Sequence, residues 1–259
     1  MQNEFFQKFG NDGEESRLTL DSLKVVSPFM DFSSVDLLEN AEKAVERIEQ
    51  IERTSPDGLV AELGSSGGSV FFIRTKYLKT ISFVQIAKKI FENTSAQFDE
   101  IESADIIFAF GAFGAEKKAL KTLERGENSK FLLLQKLQNK GFGRENAKVA
   151  LDFLESKGYL DDARFAKVWL RSHCATKAQG RTRLLLELRS RGISKETAEN
   201  TVNEYFETTD ETEECMRAAK KAALHKKSGE KLIKYLIDAG FPYKMAVYTS
   251  KAIESTNKI

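Results

Sequence analysis

The ten residues LLLELRSRGI, Leu184–Ile193, place aliphatic side chains eight, seven and four positions before Gly192 and a bulky apolar residue directly after it. Residues at those offsets share one face of an α-helix. A glycine just past them suits the left-handed position that ends a helix, and Ile193 then stands immediately before the next helix begins. The pattern occurs three times. LLLQKLQNKGF ends at Phe142 and LIKYLIDAGF at Phe241, with Gly141 and Gly240 in place of Gly192. The aliphatic sets are Leu133, Leu134 and Leu137; Leu184, Leu185 and Leu188; and Leu232, Ile233 and Leu236. Six residues beyond each glycine stands an alanine, Ala147, Ala198 or Ala246, at the N4 position that packs back on the apolar residue before the cap. The third copy departs, because Pro242 stands where Gly143 and Ser194 would cap; proline suits a first turn but offers no side-chain acceptor.

Working outward, further amphipathic stretches lie at 100–125, 162–173 and 211–224, so the unit is three helices repeated three times with a period of about 50 residues. Stacking such units buries faces that none can bury alone. The expected fold is mainly α, with tandem three-helix repeats forming an elongated curved body, preceded by a small strand-containing N-terminal region. The expected boundaries are 98–162, 163–210 and 211–259 for the repeats, 34–97 for a small α+β region, and 1–33 for a flexible or irregular tail that mixes polar residues with scattered Phe. Within 34–97, SPDG and GSSGG are turn chemistry between short apolar runs, and a small β-meander is expected. VERIEQIER is read as its first strand, although Val45, Ile48 and Ile51 also fit a helix that could begin near Ser33 or Ser34. SFVQIAKKIFE, 82–92, is a helix behind a Ser82 cap. GSSGGS lacks both the lysine of a phosphate-binding loop and GxGxxG spacing, so it is read as a hairpin turn.

KGYLDDARFA, 157–166, raises the question of chemistry, since two carboxylates stand side by side. A structural reading accounts for both. Gly158 ends one helix and Asp161 is the N-cap of the next, with Leu160 and Phe165 at the N′ and N4 positions of a hydrophobic staple. Asp162 then falls in the first turn, where the helix dipole favours an acid, and Arg164 completes the motif. Neighbouring helix positions do not face each other, so the two acids make no carboxylate clamp. His173 beside Cys174 lacks the geometry of a thiol nucleophile. Cys174 and Cys215 are the only cysteines and have no ligand spacing, so neither a disulfide framework nor a metal site is expected. No catalytic residues, cofactor or enzymatic activity are expected.

The net charge of +1 hides an asymmetry: residues 115–259 hold 29 Lys and Arg against 20 Asp and Glu, whereas residues 1–114 hold 11 against 19. The basic half is the side suited to a polyanion or an acidic protein surface. Its densest stretch, Arg171 to Gly192, carries Arg171, Lys177, Arg181, Arg183, Arg189 and Arg191 against Glu187 alone. Six cations without local acidic partners are read as a contact surface for phosphates or acidic side chains; the bland alternative is a solvated face paired with the acidic 204–214 stretch. Aromatic interleaving is absent, which argues against a single-strand stacking platform. The amino terminus lacks a basic segment followed by an apolar run, and the longest apolar stretch, Ile106 to Phe113, is too short to span a bilayer. A cytoplasmic protein without membrane contact is expected.

KGYLDDARFAKVWLRSH followed by GRTRLLLELRSRGIS resembles the RecX family of bacterial recombinase regulators. The resemblance is specific over 130–206 and extends through the threefold repeat. It implies a non-enzymatic monomer that binds the RecA nucleoprotein filament along its groove and inhibits ATP hydrolysis and strand exchange in recombination, DNA repair and the SOS response. It also implies possible direct contact with DNA. The six cations are then the candidates for RecA or DNA contact, and Gly158, Leu160, Asp161, Asp162, Arg164, Phe165 and Gly192 the structural motif. The alternative is a helical-repeat nucleic-acid-binding protein that acts without RecA.

Overall fold

A computed structural model describes residues 17–26, 41–65, 67–93 and 95–256. The chain divides into two compact units, residues 1–122 with 136–154 and residues 123–135 with 155–259.

In the first unit, β1 (Thr19–Val26), β2 (Val60–Ser65), β3 (Val70–Arg74) and β4 (Ala96–Gln97) form an antiparallel sheet in the order β3-β2-β1-β4. Residues 19–26 are thus a central strand and not part of a tail. The register shifts between Leu20 and Ser22, so the buried positions are Leu20, Leu23 and Val25 and the period of two that marks a strand is broken. Residues 1–16 and 27–33 of the expected tail, and any helix start near Ser33, lie outside the described residues. A second correction is α1 (Ala41–Thr54): VERIEQIER is helical, with Ala44, Val45 and Ile48 buried at helical spacing and Arg53 paired with Glu49 one turn back. β2 and β3 pair antiparallel, from Val60 opposite Arg74 to Gly64 opposite Val70.

The helix expected behind Ser82 is α2 (Phe83–Glu92), closed by a capping box in which the Gln85 amide donates to Ser82 Oγ at 3.2 Å and the Ser82 amide to Gln85 Oε1 at 2.9 Å. Next comes α3 (Glu100–Leu123), whose Asp105 carboxylate accepts from the amides of Lys79, Thr80 and Ile81 and so anchors the loop before α2. Glu116 of α3, nearly inaccessible, is met by Arg74 Nη2 at 2.5 Å and Nε at 2.8 Å, while the Tyr77 hydroxyl donates to it at 2.8 Å. A buried carboxylate is tolerated there because charge and hydrogen bonds are both supplied. Burial and the neighbouring Glu116 push the Tyr77 phenol well up.

Eight helices follow: α4 (Lys130–Gln138), α5 (Arg144–Ser156), α6 (Asp162–Thr176), α7 (Arg181–Ser190), α8 (Lys195–Thr208), α9 (Glu211–Leu224), α10 (Gly229–Asp238) and α11 (Tyr243–Thr256). At the ends of α4, α7 and α10 one turn is built three times. Gly141, Gly192 and Gly240 have φ of 88°, 83° and 93°. The next residue's amide returns to the carbonyl five positions back, Phe142 to Leu137, Ile193 to Leu188 and Phe241 to Leu236, which is a Schellman closure. Leu133, Leu137, Leu184, Leu188, Leu232, Leu236 and the three alanines are all buried, as the shared offsets require. Pro242 gives no side-chain cap, yet its carbonyl accepts from Ala246 as those of Gly143 and Ser194 do from Ala147 and Ala198.

Two cores fill the second unit. Phe165, Leu170, Leu184, Leu188, Ile193, Val202 and Phe206 join α6, α7 and α8. Cys215, Ala218, Ala219, Ala222, Leu232, Leu236, Phe241 and Ile253 join α9, α10 and α11.

Candidate functional site

Gly158, with φ 72°, ends α5, and Asp161 Oδ1 accepts from the amides of Ala163 at 2.8 Å and Arg164 at 3.0 Å at the start of α6. Leu160 and Phe165 are both buried, as a staple requires. Arg164 ties the loop down: Nε bonds Glu127 at 2.5 Å, and its Nη groups donate to the carbonyls of Gly158 and Tyr159. Asp162 does more than favour its own helix dipole. Its Oδ1 accepts from the Lys130 amide at 2.8 Å and so caps the start of α4. Burial pushes this carboxyl above the ordinary carboxylate range, against the pull of the Lys130 amide.

The same device recurs one repeat later, where Glu211 of α9 accepts from the Arg181 amide at 3.0 Å and caps α7. A third carboxylate, Glu254 of α11, accepts from the Gly229 amide at 3.0 Å and caps α10. Asp161 and Asp162 are therefore both structural, and the second serves a helix distant in sequence. Close glycine packing repeats as well. A Cβ on Gly192 would overlap Phe131, beside which the Ser129 hydroxyl donates to the Arg191 carbonyl at 2.6 Å. Likewise the Gly180 amide donates to the Ala239 carbonyl at 3.0 Å, and a Cβ on Gly180 or Gly240 would overlap the backbone opposite. In each case the first turn of one repeat's middle helix meets the glycine turn of the next.

The basic segment is less bare than its sequence implies. Arg181 bonds Glu211 Oε2 at 3.0 Å and Asn203 at 2.8 Å, with its guanidinium 4.5 Å from the Phe206 ring centre. Arg183 and Arg191, one turn to either side of Glu187, both pair with it, at 2.8 and 2.7 Å. The hydrogen bond from Arg191, aided by the charges of both arginines, holds the Glu187 carboxyl below the ordinary range. The absence of acidic partners expected from sequence is corrected for these three: Glu187 serves two arginines, and folding brings in Glu211. Arg189 donates to the Ile193 carbonyl at 3.0 Å. Arg171, Lys177 and Arg189 have no ion pair among the described residues.

Lys177 ends α6, its amide donating to the His173 carbonyl. Beside it, a cleft of about 330 Å3 is lined by Lys177, Gln179, Arg183, Lys221, Tyr235 and Asp238 with Ala178, Ala218 and Ala239. Lys221 and Tyr235 belong to the next repeat, beyond the stretch singled out by charge density. The equal period of the repeats was the only signal that could have brought them in. Trp169 stacks on His173 at 4.3 Å and carries the Arg191 guanidinium 4.2 Å from its ring centre, while His173 Nε2 bonds Gln179 at 2.7 Å. Cys174 and Cys215 are buried, and burial pushes both thiols up, away from the thiolate that a nucleophile needs. Among the described residues no cluster of His, Cys, Asp and Glu could hold a metal ion, and no helix is long and apolar enough to cross a membrane.

The family model for RecX, second three-helix domain, matches residues 161–202, from the Asp161 cap into α8. The chain is 34% identical over 116 residues to the regulatory protein RecX of Treponema pallidum subsp. pallidum, spanning 45% of this chain and 71% of the relative. It is 34% identical over 136 residues to the regulatory protein RecX of Pelodictyon phaeoclathratiforme, spanning 50% and 82%. The fold is similar to a crystal structure of regulatory protein RecX, with a TM-score of 0.55 at 18% identity, over 74% of this chain and 93% of that one.

Proposed function

The chain belongs to the RecX family of regulatory proteins, and on that premise we propose that it binds the RecA nucleoprotein filament along its groove and inhibits ATP hydrolysis and strand exchange in recombination and repair. The observation that carries this reading is the surface of the family-matched helices: Arg171, Lys177 and Arg189 lack ion pairs among the described residues and are available to carboxylates or phosphates of a partner. The repeats at 98–162, 163–210 and 211–259 act as tandem contact units, so several weak contacts add to one avid attachment. The protein works as a cytoplasmic monomer without cofactor or catalysis, through the geometry of the filament it holds.

Strand exchange and ATP hydrolysis by the cognate RecA, with and without this protein, test the reading. Inhibition is expected, and Arg171→Glu with Arg189→Glu weakens it by about tenfold at moderate salt. RecA activity untouched at saturating protein overturns the proposal. Tight binding to bare DNA with a steep salt dependence, together with unaffected RecA, assigns the chain to nucleic acid alone.

A further inference from the structure

We infer that the cleft at Lys177, Arg183 and Lys221 receives an acidic peptide segment of the protein partner, a deepening that rests on the proposed function. Three cations on separate elements converge there: Lys177 at the end of α6, Arg183 in the first turn of α7 and Lys221 in the last turn of α9. Lys177 and Lys221 are exposed and pair with no acid among the described residues. Arg183 commits Nη2 to Glu187 and keeps further N–H donors. Gln179, whose amide oxygen meets His173, keeps its N–H2 donors as well.

The cleft is nevertheless mixed in character, and that decides between ligand classes. Asp238 stands among the cations, with walls supplied by Ala178, Ala218 and Ala239. A phosphodiester backbone has no N–H to offer Asp238 and would be repelled by it. A peptide brings carboxylates for the lysines, backbone N–H groups for Asp238 and apolar carbon for the alanines. The volume, about 330 Å3, lies at the small end of ligand pockets, roughly 300–1,000 Å3, which suits one or two side chains entering from an extended segment. The cations come from two successive repeats, so occupancy also depends on the Gly180–Gly240 packing that sets their distance.

The test titrates the isotope-labelled full chain with a short peptide of alternating Glu and Ala and, separately, with oligo(dT) of equal length. The peptide is expected to shift the amide signals of Lys177, Arg183 and Lys221, and Lys177→Glu with Lys221→Glu is expected to weaken its binding by at least about tenfold. Both lysines are exposed, so helical circular dichroism should be retained; Lys195→Glu with Lys251→Glu is the matched charge control and should bind as the parent does. Peptide shifts confined to other residues, equal peptide affinity of the Lys177/Lys221 variant, or shifts of these amides by oligo(dT) alone overturn the inference. The two proposals fail separately. A parent protein that leaves RecA ATP hydrolysis unchanged overturns the proposed function while the titration still decides the cleft. A parent that inhibits, with a Lys177/Lys221 variant that inhibits equally, overturns the cleft alone.

Discussion

The three-helix groups α6–α8 and α9–α11 share a skeleton and differ in nearly everything hung on it. Both begin at an aspartate N-cap, Asp161 or Asp210, followed by an acid that caps the preceding repeat's middle helix. Both turn at a glycine with positive φ and both bury an alanine five residues past the apolar staple residue. Their interiors diverge. Phe165 and Phe206 fill the first core, whereas Ala218, Ala219 and Ala222 line the second. Their surfaces diverge further, since Glu187 gathers two arginines on α7 while Tyr235 holds the matching place on α10 under Lys227, 4.0 Å from its ring centre. Backbone devices are thus held constant and side-chain volume and charge are free to vary, which is how a repeat acquires distinct contact surfaces without losing its stacking.

The comparison breaks most readily in the cores. Phe165→Ala removes a buried ring with no aromatic counterpart in α9 and should cost about 3–5 kcal/mol by chemical denaturation. A loss of under about 1 kcal/mol would mean that the first core does not depend on the ring. Leu188→Ala and Leu236→Ala occupy matched, fully buried sites and should each cost about 2–5 kcal/mol; a large gap between them would end the equivalence of the two turns.

Glycine packing sharpens the distinction between a turn and a contact. Gly158 and Gly192 both have positive φ, but a Cβ meets nothing within 4 Å at Gly158 and overlaps Phe131 at Gly192. Gly158→Ala should cost about 1–2 kcal/mol from backbone strain alone, and Gly192→Ala about 1–3 kcal/mol more from overpacking. Equal melting-temperature losses would show that the close approach relaxes freely.

The caps give smaller effects. Asp161→Ala should cost about 0.5–2 kcal/mol and Asp161→Asn almost nothing, because asparagine also accepts from the first-turn amides. Where the parent shows the proposed inhibition of RecA, its loss in Asp161→Asn at unchanged melting temperature would make the acid functional. The smallest effect concerns acid. Glu187 is held below its ordinary range, so its contribution is present above the unfolded carboxylate value, about 4.3, and is lost as pH falls through the lowered folded value. Glu187→Gln should flatten the acid limb of the stability profile within that window; an unchanged limb would show that the two arginine pairs add nothing.

The helical repeat was legible because its code is local. Leu184, Leu188, Gly192, Ile193 and Ala198 lie within four turns of chain, and each backbone demand falls on one residue type. The sheet unit was harder to read for the opposite reason. Leu20, Leu23 and Val25 are buried by a bulged strand whose neighbours lie about 40 and 75 residues away, at Val60–Ser65 and Ala96–Gln97, and α1 offered too few apolar positions to separate its period from a strand's.

By itself the sequence determined the helix ends, the buried stripes, the repeat and the resemblance that named the family, all of which depend on spacing within a turn or two. Beyond the one-turn pairs that Glu187 makes with Arg183 and Arg191, tertiary structure alone decided which charges are spoken for. Glu211 reaches Arg181, Asp162 reaches the Lys130 amide, and Lys221 joins Lys177 beside Arg183, across separations of about 30 to 45 residues. For charges that far apart in sequence, pairing depends on what stacking brings within hydrogen-bond reach, and local spacing carries no record of that.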